Sequence, residues 1–256
     1  MDRSFLFQPQ VIAASRQFVC VRLATYEDET EAAFLKAFTS TKSGELENSV
    51  FGILAPDGKQ KLIRSGRSPK QAFAGPAEMA DAMMKIAAKY PGKATEGPMA
   101  LPLVATVKLG MNVAAADNQL LVIVVGKDSA ARKQLEDKLA ALIWDKEFVG
   151  RFVFASGTAD DLAMVEGQKR DAGLIIVEPE QFGRTSKVVS SLAADASPVR
   201  IAVDLRNAVG QFKPTDKTFM NHVRFGQSQG VFWEPRIPVT DPMEINARER
   251  GKKNKN

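Results

Sequence analysis

Leu120-Leu-Val-Ile-Val-Val-Gly-Lys-Asp-Ser-Ala-Ala-Arg-Lys-Gln-Leu135 is the stretch on which the fold turns. Its first six residues are apolar without alternation, the pattern of a strand covered on both faces. Asp128 is placed to cap the helix that follows, which carries Ala131, Leu135, Leu139 and Leu142 along one face. Downstream, Phe152–Ala155 reads as a strand and Ala159–Glu166 as a short helix. Gly173–Val177 reads as a second buried strand. After a turn containing Gly183, Lys187–Leu192 pairs back. Pro198 then opens a last helix with Ile201, Leu205, Ala208, Val209 and Phe212 inward. The order is β, α, β, α, β, β, α.

Upstream, the plan recurs less completely. Gln8–Arg16 reads as a short helix with Pro9 in its first turn. Phe18–Thr25 is apolar on both faces, as a buried parallel strand is. Asp28 and the acidic residues beside it open a helix bearing Phe34, Leu35 and Phe38. Ser49–Ala55, the turn Pro56-Asp-Gly58 and Lys59–Arg64 read as a hairpin. Pro76 starts a helix with Met79, Met83, Ile86 and Tyr90 in register. Residues 91–118, punctuated by Pro91-Gly92, Gly97-Pro98 and Pro102, read as a linker that could hold a strand at Leu103–Leu109.

The order of residues 119–213 resembles the connectivity of the thioredoxin fold. Ser4-Phe-Leu-Phe-Gln-Pro-Gln-Val-Ile12, then Phe18-Val-Cys-Val-Arg22, resembles the stretch after the active site of bacterial thioredoxin-like proteins, and Pro56-Asp-Gly58 resembles their hairpin turn. The resemblance implies an α/β chain of two tandem thioredoxin-like domains. Residues 1–90 form the first and 119–213 the second, with 91–118 a linker and 214–256 an extended arm and basic tail. It implies a Cys-x-x-Cys motif at the start of each domain's first helix, where the helix terminus would lower a thiol pKa. The second domain has Gly126-Lys-Asp-Ser129 there instead, and in the first the place falls before Met1. The proline that the family sets before its hairpin is matched by Asn48-Ser49 and by Asp171-Ala172. Both copies therefore read as redox-silent, with no catalytic residue and no cofactor implied.

The first domain begins without its opening strand, which in this fold lies between the second and third. Phe18–Thr25 and Ser49–Ala55 would then each present an unpaired edge. Three completions are open. Met1 is internal to a longer reading frame that carries the strand, Leu103–Leu109 folds back into the gap, or a partner chain donates a strand. The reading is a protein-binding or self-associating module. The alternative is a thiol–disulfide oxidoreductase whose motif lies upstream of residue 1.

Candidate site residues are few. The chain has one cysteine, Cys20, and one histidine, His222, which supply neither an internal disulfide nor a zinc site of the usual kind. Cys20 is expected to be a buried packing thiol, the other reading being a mixed-disulfide cysteine with Arg22 beside it. Lys127 and Ser129 could hold an anion at a helix start, and Arg64 and Arg67 could hold phosphate or a partner's carboxylates. The acidic residues at Glu27–Glu29 and Asp160-Asp161 suit helix starts without catalysis. The net charge of +5 is concentrated at the end: Ala247–Asn256 carries +4, leaving +1 for the other 246 residues. A short basic tail without a basic, aromatic-laced stripe argues against nucleic acid as the partner and toward a weaker anion-binding role. The arm from Asn221 to Pro242 is expected to cross the second domain, or else to bind a partner. No apolar run is long enough for a membrane span, and the N-terminus lacks a signal-peptide pattern. As written the chain reads as cytoplasmic, and as exported if a longer N-terminus carries a signal.

Overall fold

In the computed structural model, which describes residues 4–6, 8–23, 25–38, 44–92, 99–168, 172–216, 218–232 and 235–253, the chain forms two units. One comprises residues 1–93 with 233–256 and the other residues 94–232. The architecture is mixed α/β.

In the first unit, helix α1 (Pro9–Ser15) begins at Pro9, where a missing N–H leaves nothing unsatisfied. Helix α2 (Glu29–Lys36) is capped by Asp28, whose carboxylate accepts the Glu31 amide at 2.9 Å. Helix α3 (Pro76–Lys89) buries Met79, Ala80 and Met83. These pack with Val11 and Ala14 of α1 and with Phe5, Ile53 and Phe73 into one cluster. Between α2 and α3 the chain makes the expected reversal, but as two isolated antiparallel bridges, Phe51 with Gly66 and Leu54 with Lys61. Gly58 turns it at φ +69°, a left-handed conformation that suits glycine.

The strand expected over Phe18–Thr25 is not formed by the described residues. Val19 is 93% exposed and Val21 76%. A run apolar on both faces holds as a strand only when neighbours pair with both edges, and among the described residues no main-chain bond reaches Val19, Cys20 or Val21.

The second unit is built on a six-stranded sheet. Its elements are β1 (Leu103–Val104), α4 (Val107–Asp117), β2 (Leu120–Val125), α5 (Ser129–Ile143), β3 (Phe152–Gly157), β4 (Val165–Glu166), β5 (Gly173–Pro179), β6 (Ser186–Leu192), α6 (Pro198–Gln211) and α7 (Phe219–Ser228). The sheet order is β1-β3-β2-β5-β6-β4. β2 runs parallel to β3 and antiparallel to β5, and β5 and β6 are antiparallel. Leu120, Val122 and Val124 face one cluster with residues of α5 and α6. Leu121, Ile123 and Val125 face another with Val107, Met111 and Ala114 of α4. Covered on both faces, all six are fully buried.

Three expectations change here. Leu103–Leu109 is a strand for two residues only. It pairs with Phe154 and Ala155 of its own unit's sheet, so it does not complete the first unit. From Val107 the segment is helical, because Thr106 accepts the Leu109 amide at 3.1 Å and caps α4. The helix expected over Ala159–Glu166 is a 3-10 turn at Ala159–Leu162 followed by β4.

The arm does not cross the second unit throughout. α7 does belong to it, with His222 and Phe225 stacked on Phe182 at 4.7 and 5.9 Å between ring centroids. The chain beyond residue 232 belongs to the first unit and ends in helix α8 (Pro242–Lys253).

Candidate functional site

The arm meets the first unit through a bend at Arg236 and Ile237 and then through side chains. Tyr26 lends its carbonyl to the amides of Arg236 and Ile237, at 2.8 and 3.0 Å. Ile237 and Val239, two residues apart, pack against Tyr26, Ala32 and Leu46. The Tyr26 hydroxyl donates to the Leu46 carbonyl at 2.8 Å and accepts the Asp241 amide at 3.1 Å. Thr240 Oγ1 donates to the same Leu46 carbonyl at 3.4 Å.

Asp241 is the anchor, fully buried. Its Oδ2 accepts from Arg67 Nη2 at 2.7 Å and from the Asn48 amide at 2.9 Å. Its Oδ1 accepts the Met243 amide at 2.9 Å and so caps α8. Burial alone pushes the carboxyl up. The Arg67 guanidinium and the amides of Asn48 and Met243 outweigh that and hold it at about 2. Glu47, 2% exposed, stands 3.5 Å from Arg67 Nη1. Bonding to Asp241 raises the Arg67 guanidinium against a smaller opposing effect of burial.

Of the two arginines expected to hold an anion, Arg67 therefore holds carboxylates of its own chain, and Arg64 is exposed. The contact is invisible in linear sequence, since Arg67 and Asp241 lie 174 positions apart. One local signal does exist: Asp241-Pro242 with Glu244 is a helix-start pattern.

Cys20 is exposed, so the expectation of a buried thiol is corrected. Its Sγ is 3.7 Å from the Ser15 carbonyl. The exposure has the same cause as that of Val19 and Val21: no strand covers the segment. Among the described residues, the main chain of Val19, Cys20 and Val21 makes no hydrogen bond.

At the start of α5, Asp128 accepts the Ala131 amide at 2.8 Å. An open cavity of about 740 Å³ lies beside it, lined by Ser129, Arg132, Lys133, Ser156, Thr158 and Asp161 among others. Its cations are engaged: Arg132 donates to the Gly126 carbonyl at 3.0 Å and Lys133 pairs with Asp137. Ser129 lines this cavity, but Lys127, the other expected anion contact, does not. Asp161 accepts the Thr158 amide at 2.8 Å and serves its turn. Asp171 lies outside the described residues, as do Lys255 and the side chains of Arg248, Arg250, Lys252 and Lys253 in the basic tail. Among the described residues no group of three His, Cys, Asp or Glu is placed to hold a metal ion, and no helix is long and apolar enough to cross a membrane.

Compared with known proteins, the chain matches no protein family, no curated protein and no solved structure.

Proposed function

We propose that the chain is a redox-inactive protein-binding or assembly module made of two thioredoxin-like units in tandem, the first without its opening strand. Support in the second unit comes from the succession β2, α5, β3, 3-10 turn, β5, β6, α6, to which the structure adds the two-residue β4 before β5, and from the position of β2 between β3 and β5. Support in the first comes from the wording of residues 4–22 and from the Pro56-Asp57-Gly58 reversal. The chain holds a single thiol, Cys20, and residues without sulfur at Gly126–Ser129. A two-cysteine exchange cycle needs a second attacking or resolving thiol, which it does not contain.

The observation that carries the binding role is the unpaired segment around Val19, Cys20 and Val21. Among the described residues the amides and carbonyls of these three make no hydrogen bond, and the two valines are exposed at 93% and 76%. Pairing with a partner's strand would order such a segment into a strand itself, with main-chain bonds supplying the contact and alternate side chains the burial. Covering two exposed valines contributes on the order of 3 kcal/mol.

A labelled six-residue peptide alternating valine and threonine tests the role by fluorescence anisotropy, with amide exchange read at residues 19–21. We expect binding that slows exchange there and is lost in Val19→Lys/Val21→Lys. Slow exchange at these amides before any peptide is added, or binding indifferent to the double substitution, refutes the role. Insulin reduction catalysed by this chain refutes redox inactivity.

A further inference from the structure

We infer that the surface of the first unit formed by Tyr26, Ala32, Leu46, Asn48 and Arg67 is a peptide-recognition site, and that the chain's own arm is its resident, displaceable ligand. The peptide it takes is a segment bent at its start, with two aliphatic side chains two residues apart, followed two residues later by aspartate. The arm reads Ile237-Pro-Val239-Thr-Asp241. Each part of that pattern meets its own feature of the surface. The Tyr26 carbonyl takes two successive amides, a main-chain contact blind to side chains. Tyr26, Ala32 and Leu46 take the two aliphatic side chains. Arg67 and the Asn48 amide take the carboxylate at 2.7 and 2.9 Å, which fixes both its charge and its position.

Two observations point to exchange. Residues 94–232 form the other unit, so within the first unit the arm is held by contacts and not by a short covalent link. Glu47, buried and 3.5 Å from Arg67, keeps a carboxylate beside the guanidinium when Asp241 leaves. Opening the site therefore does not strand a lone half-buried cation, the usual obstacle to breaking such a pair. A tethered arm competes as an intramolecular ligand. Free peptides thus bind visibly only when the arm is weakened or the peptide is in excess.

The test uses the full chain and a labelled peptide spanning residues 235–246. The arm-weakened variant Ile237→Asp/Asp241→Ala should bind this peptide at least about tenfold more tightly than the unsubstituted chain does, because competition is removed. The peptide carrying Asp241→Asn should bind that variant at least about tenfold more weakly. A folded variant that binds neither peptide, or both equally, overturns the inference. If the variant does not fold, the unsubstituted chain decides. Excess unlabelled peptide should speed exchange of the arm amides at Ile237 and Asp241, and unchanged rates overturn the inference. The strand-addition role of residues 19–21 is read at other amides, so either proposal can fail without the other.

Discussion

Replacing Asp241 by asparagine keeps the volume of the side chain and removes its charge. In the native protein the carboxylate receives Arg67, Asn48 and Met243 while fully buried. Its pKa lies at about 2, against an ordinary 3.8. A group lowered in the folded state stabilises above its unfolded pKa, and that contribution is lost as pH falls through the folded value. The difference is worth about 2 kcal/mol above pH 4 and vanishes near pH 2. Asparagine can still cap α8 through its oxygen, but its amide group then meets the Asn48 N–H and Arg67, donors facing a donor. Leaving the guanidinium half-paired adds to the loss, so we expect about 2–4 kcal/mol of local destabilisation at pH 7. A whole-chain melt would mix in the second unit, so the assay is residue-resolved amide exchange at Arg236, Ile237, Asp241 and Met243. These four should exchange faster in the variant at pH 7, and the gap between variant and native should close as pH approaches 2. A loss below about 0.5 kcal/mol, or a gap that persists at pH 2, refutes the view that the carboxylate's charge holds the arm.

Cys20 should react with a thiol reagent in the native protein at nearly the rate of the unfolded chain, and labelling that waits for denaturant contradicts its exposure. Gly173→Ala should break the β5–β6 pairing, because Gly173 has φ +126° and an added Cβ would lie 1.9 Å from the Leu192 carbonyl oxygen. We expect a loss above about 3 kcal/mol by urea unfolding of the second unit, and a loss under 1 refutes that packing. Ser186 is 1% exposed and its hydroxyl has no partner among the described residues, so Ser186→Ala should leave urea stability unchanged or raise it by about 1 kcal/mol. Clear destabilisation there would mean the hydroxyl is satisfied.

Local physics was readable where a signal and its consequence lie a few residues apart. Asp28 and Asp128 cap the helices expected of them, and Pro9, Pro76 and Pro198 open theirs. Helix α4 went unread although its signals were present: Thr106 as cap, then Val107, Met111, Ala114 and Ala115 at helical spacing. Pro102 and the valines of 103–107 drew attention to strand and linker instead. The arm site was out of reach for a different reason. Arg67 meets Asp241 across 174 positions, and Tyr26 meets it across 215. Hydrophobic period and capping patterns carry no information on pairs so distant. Composition could say only that a basic loop would seek carboxylates; it could not say that the chain supplies them itself.

Phe18–Thr25 and Leu120–Val125 share one sequence character and reach opposite fates, which shows what that character measures. A run with apolar residues on both faces states a demand for cover on two faces and for pairing on two edges. For Leu120–Val125 the demand is met by β3 and β5 at the edges and by helices on both faces. For Val19, Cys20 and Val21 no main-chain bond forms among the described residues, and Val19 and Val21 stand in solvent. An unmet edge is either a docking strand or an aggregation hazard, and its flanks help to separate the two. Arg16 and Arg22 bracket the apolar core at Phe18–Val21, as charged gatekeepers bracket strands that must stay exposed. In a strand Val19 and Val21 share one face, and Cys20 points to the other with Arg22. The valine face is therefore aliphatic, while the other mixes Phe18 and Cys20 with the charge of Arg22, which opposes stacking between sheets and leaves the valine face to a single added strand.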